Sequence, residues 1–330
     1  MMIPVNGTRN DFYFADNNTE GENGPYYYQT TLYKVLVVFA FALVMVIICF
    51  GNLLVIITYA CVQKLQTRGN IFMIRLAVAD LVLGFQIIFQ IVSIFIPLKS
   101  LTLCILRYSL LSVSSFACNL TLLVLTVERY FAVFHPLKYH TCDIKKWFYG
   151  ITALIWTPAF IFGFLIPFVW HKDWTYEKSH GCEFSVILKE DFITWFISLP
   201  FILSTVSILV LYTKIIKEIR KQKNRIGSRN ANRILTPQNA IDRHTPISSQ
   251  IIKLCKTVAL IEFCYLVCWV PFMLFIAIHA LMRLEYSVIA INVRFCLGIL
   301  LAVNSALNPF IYAVRTPDFR KAIRKAVTGH

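Results

Sequence analysis

Residues 104–139 read CILRYSLLSVSSFACNLTLLVLTVERYFAVFHPLKY. Between Arg107 and Glu128 lie twenty residues without a formal charge, closed by Glu128-Arg129-Tyr130. At about 1.5 Å rise per residue that run covers the roughly 30 Å of a bilayer's hydrocarbon, so the spacing predicts a spanning helix. A soluble protein can hide one such helix in a large core, and the rest of the chain decides between the two.

Of its 330 residues, 58% are hydrophobic and 15% charged, and the mean hydropathy is +0.65. A soluble domain carries nearer a quarter of charged residues, so the composition indicates a membrane protein. The net charge of +15 sits in short blocks between apolar runs. No Lys/Arg stripe with interleaved aromatics stands outside the loops, so nucleic acid is not an expected partner. Seven apolar segments follow one another, at about 31–61, 70–97, 102–134, 147–170, 191–217, 250–280 and 287–313. Each is long enough to cross a bilayer, and period-2 barrel patterning is absent. Backbone groups in lipid must bond within their own segment, which makes these helices: an all-α, seven-transmembrane bundle.

Orientation comes from Lys and Arg. With the amino end outside, 22 of the 32 fall on the inner loops and tail, nine fall outside and Arg75 lies within the second span. The positive-inside rule therefore places the amino end outside and the carboxyl end in the cytosol. Residues 1–30 are polar, with no apolar run behind a basic start, so no cleavable signal peptide is expected. They carry two glycosylation sequons, at Asn6 and Asn17, which fit an extracellular tail. The bundle is expected over 31–313, with a basic, mobile inner loop at about 218–249. Residues 314–330 alternate Phe319, Ile323 and Val327 with basic side chains, predicting a short amphipathic helix on the inner membrane surface.

One motif stands in each of six spans: Gly51-Asn52, Leu76-Ala-Val-Ala-Asp80-Leu81, Glu128-Arg129-Tyr130, Trp156, Cys268-Trp269-Val270-Pro271 and Asn308-Pro309-Phe310-Ile311-Tyr312. In this ordered set the chain resembles the rhodopsin-like (class A) G protein-coupled receptors over nearly all of its length. The resemblance implies a plasma-membrane receptor that binds an extracellular ligand, a small molecule or short peptide, and activates heterotrimeric G proteins. Arrestin and receptor kinases are further implied partners, with Ser228, Thr236, Thr245, Ser248 and Ser249 as phosphate acceptors. Membrane lipids surround the bundle.

The resemblance also assigns roles. Glu128 holds the Arg129 guanidinium at rest, and Arg129 is released toward the G protein, with Tyr130 beside it and Tyr212 and Tyr312 as hydroxyl partners of the active arrangement. A planar five-donor cation suits both tasks. The acid often found at the foot of the sixth span is Ile251 here, so a weaker resting lock with some basal signalling is expected. Trp269 with Pro271, and Pro309 in the seventh span, are expected hinges, because proline removes a backbone bond and kinks its helix. Asp80 is a buried acid of the kind that is functional by default. It resembles a family sodium site completed by Cys118, Asn304, Ser305 and Asn308, with Asn52 nearby. The other reading is a water-bonded Asp80 without a cation, since a thiol is a poor sodium ligand. Cys104 and Cys182 both face the expected oxidising side, so a disulfide tying loop to helix is expected.

The pocket positions implied by the resemblance are Leu111, Ser112, Ser115, Phe116, Phe184, Phe272, Met273, Ile276, Arg294, Gly298 and Leu301, an apolar lining with a few hydroxyls. Leu111 stands where amine receptors carry an aspartate, and Ala302 where opsins carry a lysine. Phe184 is similar to adenosine receptors, yet Ile276 replaces their asparagine. His279 and Arg294 stand at the rim, either solvated or facing a polar group. Glu262, mid-way in the sixth span, is expected to be neutral or bonded to polar groups beside Asn119. Arg75 is expected to reach toward the inner face. A transporter or channel with buried acids is the alternative function, and it lacks an inverted repeat and a polar track through successive spans. An enzyme is not expected, because no HExxH, paired catalytic His or nucleophile–base set is present in any span.

Overall fold

The computed structural model describes residues 31–96, 98–141, 144–173, 182, 184–233, 249–282, 288–316 and 319–321. Seven helices long and apolar enough to cross a membrane dominate it. We number them α1 (Thr31–Cys61), α2 (Arg68–Phe95), α3 (Leu101–Phe134), α4 (Ile144–Phe160, running on through Ile161–Leu165 and Ile166–Val169), α5 (Phe192–Ser198 continuing as Leu199–Arg233), α6 (Ser249–Met282) and α7 (Val288–Arg315). The architecture is the expected all-α bundle, and the protein is a multi-pass membrane protein.

Helix α3 lies at its centre, with neighbours on several sides: α2, α4, α5 and α6. That is why its buried residues run its whole length from Cys104 to Val133. The outer faces of the other helices carry large apolar side chains such as Phe39, Phe50, Phe85, Trp195, Phe263 and Phe310. A belt of this kind is stable only against lipid tails.

Close helix approaches rest on small residues. A Cβ on Gly163 would stand 2.6 Å from the Val113 backbone nitrogen, so α4 meets α3 there nearly backbone to backbone. Gly51 plays the same part between α1 and Pro309 of α7, at 2.8 Å from the proline ring. Two stretches are wound as π-helix, Ile161–Leu165 between Pro158 and Pro167, and Phe192–Ser198 just before Pro200. Proline has no N–H to give the carbonyl four residues back, and a wider turn ahead of it re-pairs the freed group.

Helix α5 corrects one expectation. The basic loop expected at about 218–249 is helical as far as Arg233. Lys, Glu, Gln and Arg are good helix formers, and Gln222 donates to Glu218 one turn back (3.0 Å). Residues 234–248 lie outside the described part of the chain, as do the sequons at Asn6 and Asn17 and most of the amphipathic segment expected after α7. Of that segment, Phe319 is buried against the Tyr312 ring, with centroids 6.4 Å apart.

Candidate functional site

Three polar or concave features lie along the bundle axis, beginning at the end where α3 starts. There Cys104 is bonded to Cys182, with Cα atoms 5.7 Å apart. The remaining seven cysteines described are free. The Cys182 carbonyl accepts hydrogen bonds from the Tyr108 hydroxyl (2.9 Å) and from Arg107 (3.5 Å). Arg107 also donates through Nε and Nη2 to Gln90 Oε1, at 3.2 and 2.7 Å. The loop is thus pinned over the bundle beside a buried guanidinium.

Beneath it opens a cavity of about 850 Å³, its mouth included. From α3 come Leu111, Ser112 and Ser115; from the loop, Phe184; from α6, Phe272, Met273 and Ile276; from α7, Arg294, Gly298 and Leu301. Ten of the eleven residues expected at a pocket therefore share one cavity. Phe116 is the exception. It sits about 100° further round α3 than Ser115, tilted against Phe162 at 6.2 Å, and lines a smaller neighbouring cavity with Asn119, Pro200 and Phe201. His279 does not line the cavity; it packs on Phe275, centroids 4.4 Å apart.

Sequence reasoning passed over Gln86 and Gln90 of α2 and Tyr108 of α3, which also line it. Two glutamines on an otherwise apolar face of a span were the signal available for them. Behind Phe272 of the cavity wall Trp269 is buried, set edge-on to it (6.5 Å) and stacked on Tyr265 (5.3 Å). Pro271 follows directly inside α6.

The middle layer is centred on Asp80, which is fully buried. Asn308 Nδ2 donates to its Oδ2 at 2.8 Å, and the Cys118 thiol stands 3.7 Å from Oδ1. Asn52 does not join this set. It spans α1 and α7 instead, donating to the Ile48 and Ser305 carbonyls at 3.0 and 3.3 Å. The side-chain carbonyls of Asn304 and Asn308, one turn apart on α7, are buried and accept no hydrogen bond from the described residues. Hard oxygen atoms of this kind beside a carboxylate fit a small monovalent or divalent cation, whereas the Cys118 sulfur is better used as a donor to Asp80.

Glu262 corrects another expectation. Its partner is not beside Asn119 but Thr126 of α3, through a short hydrogen bond between two buried side chains. Thr126 lies two turns further along α3 than Asn119, which is where α6 brings residue 262. Arg75 is also buried, with its guanidinium over the ring of Phe72, one turn nearer the start of α2, at 5.4 Å.

At the far end of α3, Arg129 is 1% exposed and its Nε lies 2.6 Å from Glu128 Oε2. Tyr139, in the short helix Pro136–Thr141, donates to the other oxygen of Glu128. Tyr130 stacks on Phe134 (4.3 Å), in an apolar cluster with Val133, Ile215, Cys255 and Ile251. Ile251, where an acid was looked for, therefore holds the foot of α6 by apolar contact. Tyr212 donates to the Cys255 carbonyl (3.1 Å), tying α5 to α6, and Tyr312 is buried below Asn308 and Pro309.

Residues 51–312 match the family model described as 7 transmembrane receptor (rhodopsin family). Among curated proteins the chain is 27% identical to the octopamine receptor beta-2R of Drosophila melanogaster, over 87% of this chain and 60% of that receptor. It is 28% identical to the pyroglutamylated RF-amide peptide receptor of Rattus norvegicus (89% and 70%) and 26% identical to the alpha-1A adrenergic receptor of Oryzias latipes (85% and 64%). The chain thus spans less than two thirds of the octopamine receptor's length. With its motifs set along one bundle axis and the family model covering most of its length, this chain belongs to the rhodopsin family of seven-transmembrane receptors.

Proposed function

We propose that this protein is a plasma-membrane receptor, amino end outside, that takes its ligand in the cavity under the disulfide-pinned loop and activates a heterotrimeric G protein from the Arg129 end. The observation that carries the reading is the Arg129–Glu128 pair at 2.6 Å, with Arg129 buried, Tyr139 on the other Glu128 oxygen and the neighbouring Tyr130 in the apolar cluster that holds Ile251. An arginine so held is of no use to a partner until α6 moves away from α3. Pro271, next to Phe272 of the cavity wall, gives α6 a point at which to bend. A ligand pressing on Phe272 or Trp269 shifts the outer half of α6, and the hinge converts the shift into opening at the foot.

Asp80, Ser305, Asn304 and Asn308 would hold a sodium ion in the resting receptor, where its charge would offset that of the buried carboxylate. Arrestin and receptor kinases are expected to meet the same inner face. Nucleotide exchange on purified Gα subunits by the receptor in lipid nanodiscs is the test. Exchange above empty nanodiscs that disappears in Arg129→Ala supports the proposal. Exchange that survives Arg129→Ala under every stimulus overturns it, as does solute flux through receptor-bearing liposomes with no exchange at all.

A further inference from the structure

We infer that the cavity selects a small, largely apolar molecule carrying a carboxylate or similar anion, anchored at the mouth by Arg294 and the Gln90 amide with Arg107 behind them. This rests on the receptor reading and names the ligand class for it.

The inference starts from Arg107, which is 1% exposed. Among the described residues its contacts are Gln90 Oε1, the Cys182 carbonyl and the Tyr108 ring, 5.0 Å from the guanidinium. None of these described contacts is an acid, and through Gln90 and Tyr108 the guanidinium stands against the cavity wall. Its hold on Gln90 has a second effect. With Oε1 accepting two N–H groups from Arg107, the amide of Gln90 keeps only its NH₂, two donors and no acceptor, to offer the cavity that it lines.

Arg294 lines the same cavity, its guanidinium over the Phe295 ring at 5.0 Å, and no Asp or Glu is among the described lining residues. Arg107 and Arg294 each stand about two turns in from the start of their helices, Leu101 and Val288, so both belong to the mouth. Deeper in, Phe272, Met273, Leu301 and Ala302 are apolar. An anion at the mouth therefore meets N–H donors in a site of low dielectric, with an aryl or alkyl body reaching down toward Trp269. An ammonium group would lose its hydration there and gain like charges in exchange.

The test uses the full chain, purified in nanodiscs, and three probes that share one body: hydrocinnamate, hydrocinnamamide and phenylpropylamine. Binding is read from the shift of the thermal unfolding midpoint across a concentration series. Hydrocinnamate is expected to stabilise the receptor most and phenylpropylamine least. Arg294→Gln should weaken hydrocinnamate by about tenfold or more while leaving hydrocinnamamide little changed, and Arg294→Lys should keep the preference for the acid. Arg107→Met, which frees Gln90 to turn, should weaken hydrocinnamate as well. Equal or better stabilisation by phenylpropylamine overturns the inference, and so does no shift with hydrocinnamate, or an unchanged one in Arg294→Gln. The nucleotide-exchange assay is read separately. Exchange with a preference for the amine overturns the ligand class alone, and hydrocinnamate binding without exchange overturns the coupling alone.

Discussion

Replacing Glu262 by leucine should raise the receptor's activity without ligand, and the geometry says by how much. Glu262 and Thr126 join the N-terminal half of α6 to α3 one turn from Arg129, through a hydrogen bond between two buried side chains. Thr126 Oγ1 also lies 2.8 Å from the Leu122 carbonyl of its own helix. A hydroxyl has one proton, so it cannot serve both oxygens fully; a neutral carboxyl at Glu262 would supply the second. Leucine removes the clasp between helices, and Thr126 keeps Leu122. Loss of a buried hydrogen bond whose remaining partner stays satisfied costs about 1–1.5 kcal/mol, in the upper half of the range for neutral bonds. If the bond exists only while α6 rests on α3, the balance moves roughly five- to tenfold toward the open form. Glutamine can still donate to Thr126, so Glu262→Gln should stay near the parent. Basal nucleotide exchange, normalised to receptor amount, reads both. Leucine no more active than the parent, or glutamine as active as leucine, would refute the clasp. A glutamine variant lost entirely from the cell surface would refute the neutral acid.

Three further outcomes are expected. Ile251→Glu restores an acid at the foot of α6 and should lower basal exchange about two- to fivefold, the modest effect of a partly exposed ion pair. Cys182→Ser opens a bridge spanning 78 residues and should cost about 2–4 kcal/mol in the unfolding of the purified receptor, read as a lowered midpoint in non-reducing buffer. Gly163→Leu forces a side chain against the Val113 backbone and should destabilise by about 1–3 kcal/mol or more. Gly150→Ala, with nothing within 4 Å of its new Cβ, should leave the midpoint unchanged or raise it by up to about 1 kcal/mol.

Much of this molecule is legible before folding. Spans are read from apolar length alone, because lipid forces each backbone to bond within itself, and the seven runs reappear as α1 to α7 with ends moved by a few residues. The exception is instructive. Helix α5 continues to Arg233 because, once outside the apolar window, local propensity rather than hydropathy sets where a helix stops. The expected pocket positions were also largely found together, since one turn of α3, α6 and α7 each sets a fixed spacing. Phe116 fell elsewhere because the rotation of α3 is decided by what packs around it, here Phe162.

What the sequence determined by itself is the seven-helix architecture, the family, and the presence of costly residues at Asp80, Arg129 and Glu262, all properties of single segments in a solvent that punishes polarity. What only the tertiary structure decided is partnership. That Glu262 meets Thr126, that Arg107 meets Gln90 and the Cys182 carbonyl, and that Ile251 joins an apolar cluster depend on the rotation and depth of separate helices. Residues 136 positions apart are joined by how helices pack against one another, and no spacing along the chain records it.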